Sequence, residues 1–223
     1  MQIAFSSAAS GNLEAWVAPS DGSGQPRQLT KLGGQVHVDS WSPDRRLLLI
    51  HHHTSEGPVN ILMVPMGTDD QTPRTFLEGR RAAEGADFSR DMRYVAYLAS
   101  ETGQREIYIR PYPGPGGQVT VSVDGGREPM WAENGELFYR SLDGEQMFAV
   151  SVTTTPSLKV GTPAPLFRGQ YYVSPTGSPR PQYDVTADGQ RFLVLAPTTT
   201  STRSHIVVVQ NWVEELKRLV PVN

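Results

Sequence analysis

Histidines are the residues of this sequence whose type and spacing best suit chemistry at one site. His51, His52 and His53 are consecutive, and His37 precedes them, followed two residues later by Asp39. Imidazole binds zinc, copper, iron and nickel, and a neighbouring carboxylate can complete such a site. We therefore predict a divalent metal, Zn or Ca, held by His37, Asp39, His51 and His53. The run does not match a zinc motif such as His-Glu-x-x-His, so solvated loop ends stay open as the alternative.

Other kinds of catalytic site find little support in the sequence. It has no cysteine, which excludes a thiol nucleophile, a disulfide and a cysteine metal ligand. It also lacks the Gly-x-Ser-x-Gly elbow of many serine hydrolases. The glycine-rich run 114–117 is interrupted by Pro115 and has no following lysine. That run therefore predicts a connecting loop and not a phosphate-binding cradle.

The composition predicts a scaffold made mostly of β-strands. The 223 residues are 38% hydrophobic, which suffices for a core, and 18 prolines and 21 glycines separate short apolar runs. The net charge of −3 excludes a strongly basic nucleic-acid surface as the dominant feature. No apolar run approaches the roughly 18 residues of a membrane span. The start MQIAFSSAAS lacks the charged and apolar regions of a signal peptide, so we expect a cytoplasmic chain.

A repeated pattern predicts how these strands are organised. Four segments place a large apolar residue three positions before an Asp or Asn, and these anchors are Trp41, Phe88, Trp131 and Val185. A short apolar run follows each one, which indicates a strand, a tight turn and a second strand. Third and fourth strands follow in most units. Four short antiparallel strands repeated every 40–50 residues or so are typical of the blades of a β-propeller, and a β-sandwich is the alternative.

We predict one all-β domain over 1–223, a propeller of about five four-stranded units with a short C-terminal helix. The approximate blades are 1–33, 34–80, 81–125, 126–170 and 171–212, and the helix is 213–220. The first blade starts at the position of a second strand and so lacks its innermost strand. Unpaired strand edges can close within the chain or pair across a two-fold axis, and we predict a homodimer through them.

The repeated turns also resemble a known family of repeats. The Trp-Ser-Pro-Asp turn at 41–44 and its variants resemble the PD40, or TolB-type, WD40-like repeat. The segment 183–192, followed by 211–216, resembles the C-terminus of propellers attached to bacterial serine/threonine kinases. This resemblance implies a protein-interaction or ligand-sensing propeller that is usually not an enzyme, and related propellers can be periplasmic. The chain departs from the pattern where Arg90, Glu133 and Ala187 replace the proline of the turn.

Propeller geometry predicts where the candidate residues meet. The innermost strand of each blade lines the central channel, so the residues at its start lie together at one mouth. We predict a non-enzymatic binding or assembly module whose protein or small-molecule ligand contacts six residues: His37, Asp39, Glu84, Arg127, Glu128 and Tyr183. The alternative is a metal-dependent hydrolase of a phosphotriester, lactone or ester, in which a metal-bound water attacks the substrate.

Overall fold

β-Strands joined by short turns make up the part of the chain that the computed structural model describes, residues 1–54, 57–78, 82–174 and 180–196. These residues form no helix. They contain no apolar helical segment of the length needed to cross a bilayer. The helix predicted at 213–220 lies outside the described residues, as does His205.

The described strands form five successive antiparallel sheets and one separate hairpin. The first sheet contains β1 (Gln2–Ser7), β2 (Glu14–Pro19) and β3 (Arg27–Gln28). The second contains β4 (Gln35–Trp41), β5 (Leu47–His53), β6 (Val59–Pro65) and β7 (Arg74–Leu77). The third contains β8 (Ala83–Phe88), β9 (Tyr94–Ala99), β10 (Glu106–Pro111) and β11 (Val119–Thr120). The fourth contains β12 (Arg127–Trp131), β13 (Leu137–Arg140), β14 (Gln146–Val150) and β17 (Ala164–Arg168). The hairpin is β15 (Val152–Thr153) and β16 (Lys159–Val160), and the fifth sheet is β18 (Tyr183–Val185) and β19 (Phe192–Val194).

A separate hydrophobic core lies between each pair of neighbouring sheets. Leu48 and Ile50 of β5 pack toward the first sheet, whereas Leu49 between them packs toward the third. Side chains alternate between the two faces of a strand, so an apolar run can fill the cores on both sides of its sheet. Phe88 belongs to the core between the second and third sheets, and Trp131 to the next one. This arrangement confirms the predicted all-β propeller.

The repeated turns connect the first two strands of their sheets through the same hydrogen bonds. The Asp44 carboxylate accepts from the Ser42 hydroxyl at 2.7 Å and from the backbone N–H of Arg46 at 3.0 Å. Asp91 accepts from the Ser89 hydroxyl in the same way, at 2.7 Å. The residue after each of these carboxylates has a positive φ, 59° at Arg45 and 58° at Met92. The turn therefore needs a short polar side chain followed by a residue in the left-handed region.

Replacing Arg45 by glycine is expected to raise the free energy of unfolding by about 0.5–1 kcal/mol. A left-handed conformation costs an ordinary residue roughly 1–2 kcal/mol, and the extra chain entropy of glycine offsets part of the gain. Two equivalent turns already have glycine at this position, Gly135 and Gly189. Urea denaturation measures the change, with Arg46→Gly as the control because it lacks a positive φ. Equal loss of stability in both variants would contradict the prediction.

The first sheet differs from its neighbours in having three strands, with β1 at one edge. Its contact with the second sheet includes a hydrogen bond from the backbone N–H of Val38 to the Ser6 hydroxyl, at 2.9 Å. Dimerisation through the edge stays a prediction.

Candidate functional site

Three of the predicted histidines come together on one face of the second sheet. His37 of β4 lies opposite His51 of β5, and their rings stack at 4.8 Å. His53, two residues further along β5, has its ring centre 5.5 Å from that of His37 and 5.3 Å from that of His51. One nitrogen from each of the three rings lies within 4.8 Å of the others. His52 points to the opposite face, as strand alternation predicts, and its Nε2 lies 2.7 Å from the carbonyl oxygen of Gly33.

Asp39 lies behind this cluster of His37, His51 and His53 and orients one of its rings. Its Oδ1 is 2.6 Å from Nδ1 of His51, and both side chains are 1% exposed. A histidine that donates from Nδ1 to a carboxylate oxygen has, as a neutral ring, its lone pair on Nε2. Its second oxygen, Oδ2, is buried without a hydrogen-bond partner among the described residues. The structure therefore places Asp39 as the hydrogen-bond partner of His51, outside the group of mutually close ligand atoms.

The surroundings of His37 and His53 favour neutral imidazoles. Burial, reinforced by the positive charges that His51 and His53 would carry, lowers the pKa of His37 to about 4. Burial followed by the charge of His51 also lowers the pKa of His53. The lone pairs of these two rings are therefore available at neutral pH, which is the state that a metal ion needs.

Glu84 of β8 brings a carboxylate to the edge of the cluster. Its side chain is 5% exposed, with Oε2 3.9 Å from Nε2 of His53 and Oε1 2.7 Å from Nη2 of Arg105. Burial raises the pKa of Glu84, and the guanidinium of Arg105 partly opposes that shift. The third sheet thus contributes a buried, ion-paired acid next to the histidines of the second.

The other predicted binding residues belong to a buried ionic cluster of their own. Glu128 is fully buried, and its two carboxylate oxygens lie 3.0 Å from Nε of Arg127 and 3.0 Å from Nη1 of Arg140. The backbone N–H of Gln182 donates to the same carboxylate at 3.2 Å. The buried hydroxyl of Tyr183 donates to the backbone carbonyl of Glu128 at 2.9 Å. These contacts join the fourth and fifth sheets, and Arg140 is a member that the sequence analysis missed.

A cavity of about 360 Å³ lies between the inner strands of the sheets. Its wall combines residues of four strands with the segment that precedes β18, and its aromatic surface comes from Trp41 and Trp131. Its charged side chains are Asp39, Asp87, Arg90, Glu133, Arg180 and Asp184. Asp39 belongs both to this wall and to the pair with His51, so the cavity adjoins the histidine cluster.

Asp87 is the cavity residue with the most perturbed acidity. Asp87 is half-buried in the wall of the cavity. Desolvation raises its pKa to about 6, although a hydrogen bond from the backbone N–H of Trp131 and the charge of Arg90 oppose the shift. Arg90 in turn donates from Nε to the carbonyl of Ala132 at 3.2 Å. Neither Asp87 nor Arg90 is among the binding residues predicted from the sequence, where Arg90 is named only as a variant of the repeated turn. The signal was present, because Asp87 immediately precedes the anchor Phe88 at the end of an inner strand.

Comparison with known proteins identifies neighbours by structure alone. No known family matches the chain, and no curated protein matches it. The chain is similar to a solved structure assigned as TolB from Agrobacterium tumefaciens, with a TM-score of 0.65 and 20% identity over 87% of this chain and 69% of that one. It is also similar to TolB from Acinetobacter baumannii, with a TM-score of 0.55 and 18% identity over 75% of this chain and 41% of that one.

A third similar structure is assigned as a 6-phosphogluconolactonase from Bacteroides uniformis. Its TM-score is 0.51 at 15% identity, over 87% of this chain and 60% of that one. At such identities the likeness shows the fold alone. The chain spans 41% to 69% of the length of these three proteins.

Proposed function

We propose that this chain, which has the fold of a TolB-like β-propeller, is a non-enzymatic binding module whose ligand enters the central cavity. The observation that carries the proposal is the cavity itself, about 360 Å³ in volume and bounded by residues of four sheets. Ligand sites in proteins commonly measure about 300–1,000 Å³ and combine apolar walls with a few polar groups. The wall of this cavity combines both, with the rings of Trp41 and Trp131 beside charged side chains.

The charge of the cavity wall favours a ligand with a basic group. The residues of the wall include four with carboxylates, Asp39, Asp87, Glu133 and Asp184, and two with guanidiniums, Arg90 and Arg180. The negative charge of Glu133 is balanced by Arg90, because Oε1 of Glu133 lies 3.2 Å from Nη1 of Arg90. Asp184 is exposed and accepts a hydrogen bond from the adjacent backbone N–H of Val185 at 2.8 Å. A lysine or arginine of a flexible protein segment fits this excess of negative charge, and the ring of Trp41 can pack on its aliphatic part.

Selection of displayed peptides on the folded protein tests this function. We expect the selected peptides to be enriched in lysine and arginine and to lose at least about tenfold in affinity on Asp184→Asn, since a charge-assisted hydrogen bond is worth roughly 1.5–3 kcal/mol. Asp69→Asn is the matched control, because Asp69 is an exposed aspartate between β6 and β7. Peptides that bind both variants equally well, or that carry no basic residue, would contradict a ligand in this cavity.

The metal-dependent hydrolase remains the second prediction from the sequence. It requires a metal ion in the histidine cluster and a substrate that reaches it from the channel mouth. The resemblance to kinase-attached propellers also stays a prediction, and its segment 211–216 lies outside the described residues.

A further inference from the structure

We propose that His37, His51 and His53 bind a zinc ion and leave a fourth coordination position open. All three rings project from one hairpin, formed by β4 and β5. One nitrogen of each ring lies within 4.8 Å of the other two. Two ligand atoms that are each about 2.0–2.1 Å from a tetrahedral zinc ion lie about 3.3 Å from each other. Rotations of the rings would shorten the distances between the nitrogens, which are up to 4.8 Å, to this value.

The chemistry of the donors selects the metal. Three imidazole nitrogens suit Zn²⁺, Cu²⁺ and Ni²⁺, whereas Ca²⁺ takes oxygen ligands. Three protein ligands with one vacant coordination position are the arrangement of catalytic zinc sites, and structural sites generally use four. The cluster therefore favours zinc over calcium, the other metal predicted from the sequence.

Buried carboxylates around the cluster support a cation. Asp39 fixes the ring of His51 so that Nε2 is the ligand atom, which is how ligating histidines are usually held. Its Oδ2 is buried without a hydrogen-bond partner among the described residues, a cost that a nearby positive charge would offset. Glu84 adds a second carboxylate 3.9 Å from Nε2 of His53. The positive charge of a bound zinc ion would thus face two acids that the fold already buries.

The backbone holds the ligands in place before any metal binds. Cross-strand pairs link His37 to His51 and Gln35 to His53 in the antiparallel register of the hairpin. Gly34 has a φ of +71°, and a Cβ at this residue would lie 2.2 Å from the carbonyl oxygen of His53. Only glycine lets the two strands approach so closely at the end of β5. Zinc binding then requires side-chain rotation and no change of fold.

Titration of chelator-treated protein with zinc chloride alone tests the site. Calorimetry should show one zinc ion per chain, and the melting temperature should rise with the zinc concentration. Cobalt in place of zinc should give the intense visible absorption of tetrahedral coordination. Asp39→Asn should weaken zinc binding about 10–100-fold, as loss of an outer hydrogen-bond partner does, and His53→Gln should weaken it further.

His52→Gln is the matched control, because His52 lies in the same run on the opposite face of the strand. Circular dichroism confirms that each variant is folded before titration. No binding of zinc by the wild-type protein, or equal losses in His52→Gln and His53→Gln, would overturn the site. The proposed binding function does not require the metal, so it is tested separately by measuring peptide affinity with and without chelator. Failure of zinc binding would then leave the peptide affinity unchanged.

Discussion

Replacing Glu128 by glutamine is expected to lower the free energy of unfolding by about 3–5 kcal/mol. The side chain is fully buried, and its carboxylate accepts from the guanidiniums of Arg127 and Arg140 at 3.0 Å each. Glutamine keeps the shape but removes the charge, which leaves two buried cations without the carboxylate. Removal of one partner from a buried ion pair is costly because the desolvation of the other is no longer offset.

Urea denaturation of the wild type and the Glu128→Gln variant measures this loss. Glu133→Gln is the control, because Glu133 is paired with Arg90 at 3.2 Å but its side chain is 64% exposed. Solvent screens such a pair, so the control should change stability by no more than about 1 kcal/mol. Similar effects in the two variants would show that the Glu128 cluster does not stabilise the junction of the fourth and fifth sheets.

Replacing Asp87 by asparagine is expected to stabilise the protein at pH 7 by up to about 3 kcal/mol. Burial raises the pKa of this carboxyl group from 3.8 to about 6. Between these values the folded protein retains a proton that the unfolded chain releases, so the stability of the wild type falls as the pH rises through this range. Asparagine resembles the protonated acid and keeps an oxygen for the backbone N–H of Trp131, 2.8 Å away in the wild type.

Denaturation at several pH values distinguishes this effect from a simple gain in packing. The difference between Asp87→Asn and the wild type should appear between about pH 4 and pH 6 and stay constant above, and it should vanish below pH 4. Asp44→Asn is the control, and its expected change in stability has the opposite sign. The Ser42 hydroxyl lowers the pKa of Asp44, so this substitution should destabilise the protein above that pKa. A stability difference at Asp87 that does not depend on pH would contradict the assignment.

The loss of folding stability that we expect from the charge of Asp87 is relevant to function. A half-buried charge that lowers stability and lines a cavity is the kind of group that ligand sites retain. Selected peptides should therefore bind the more stable Asp87→Asn variant less tightly, and this opposition of stability and affinity would support a cationic ligand.

Local sequence was sufficient to determine the fold. The turn at Asp44 and its equivalents depend on hydrogen bonds between residues two to five positions apart, so a repeated motif predicts repeated turns. Alternation along β5 likewise placed His51 and His53 on one face and His52 on the other, because the period of a strand is two. Both properties belong to single strands and turns, which sequence patterns describe well.

Contacts between sheets decided the roles of the charged residues, and no local sequence pattern encodes those contacts. Sequence analysis treated Glu128 as a channel residue, yet it lies at a bulge of β12 with a φ of +59°, and such a bulge redirects a side chain. Its carboxylate accepts hydrogen bonds from Arg140 on the neighbouring strand and from the backbone of Gln182, which immediately precedes β18. Asp87 was missed because its acidity depends on how completely the surrounding strands bury it. Burial and ion pairing arise only when distant segments pack together, so the tertiary structure alone could assign them.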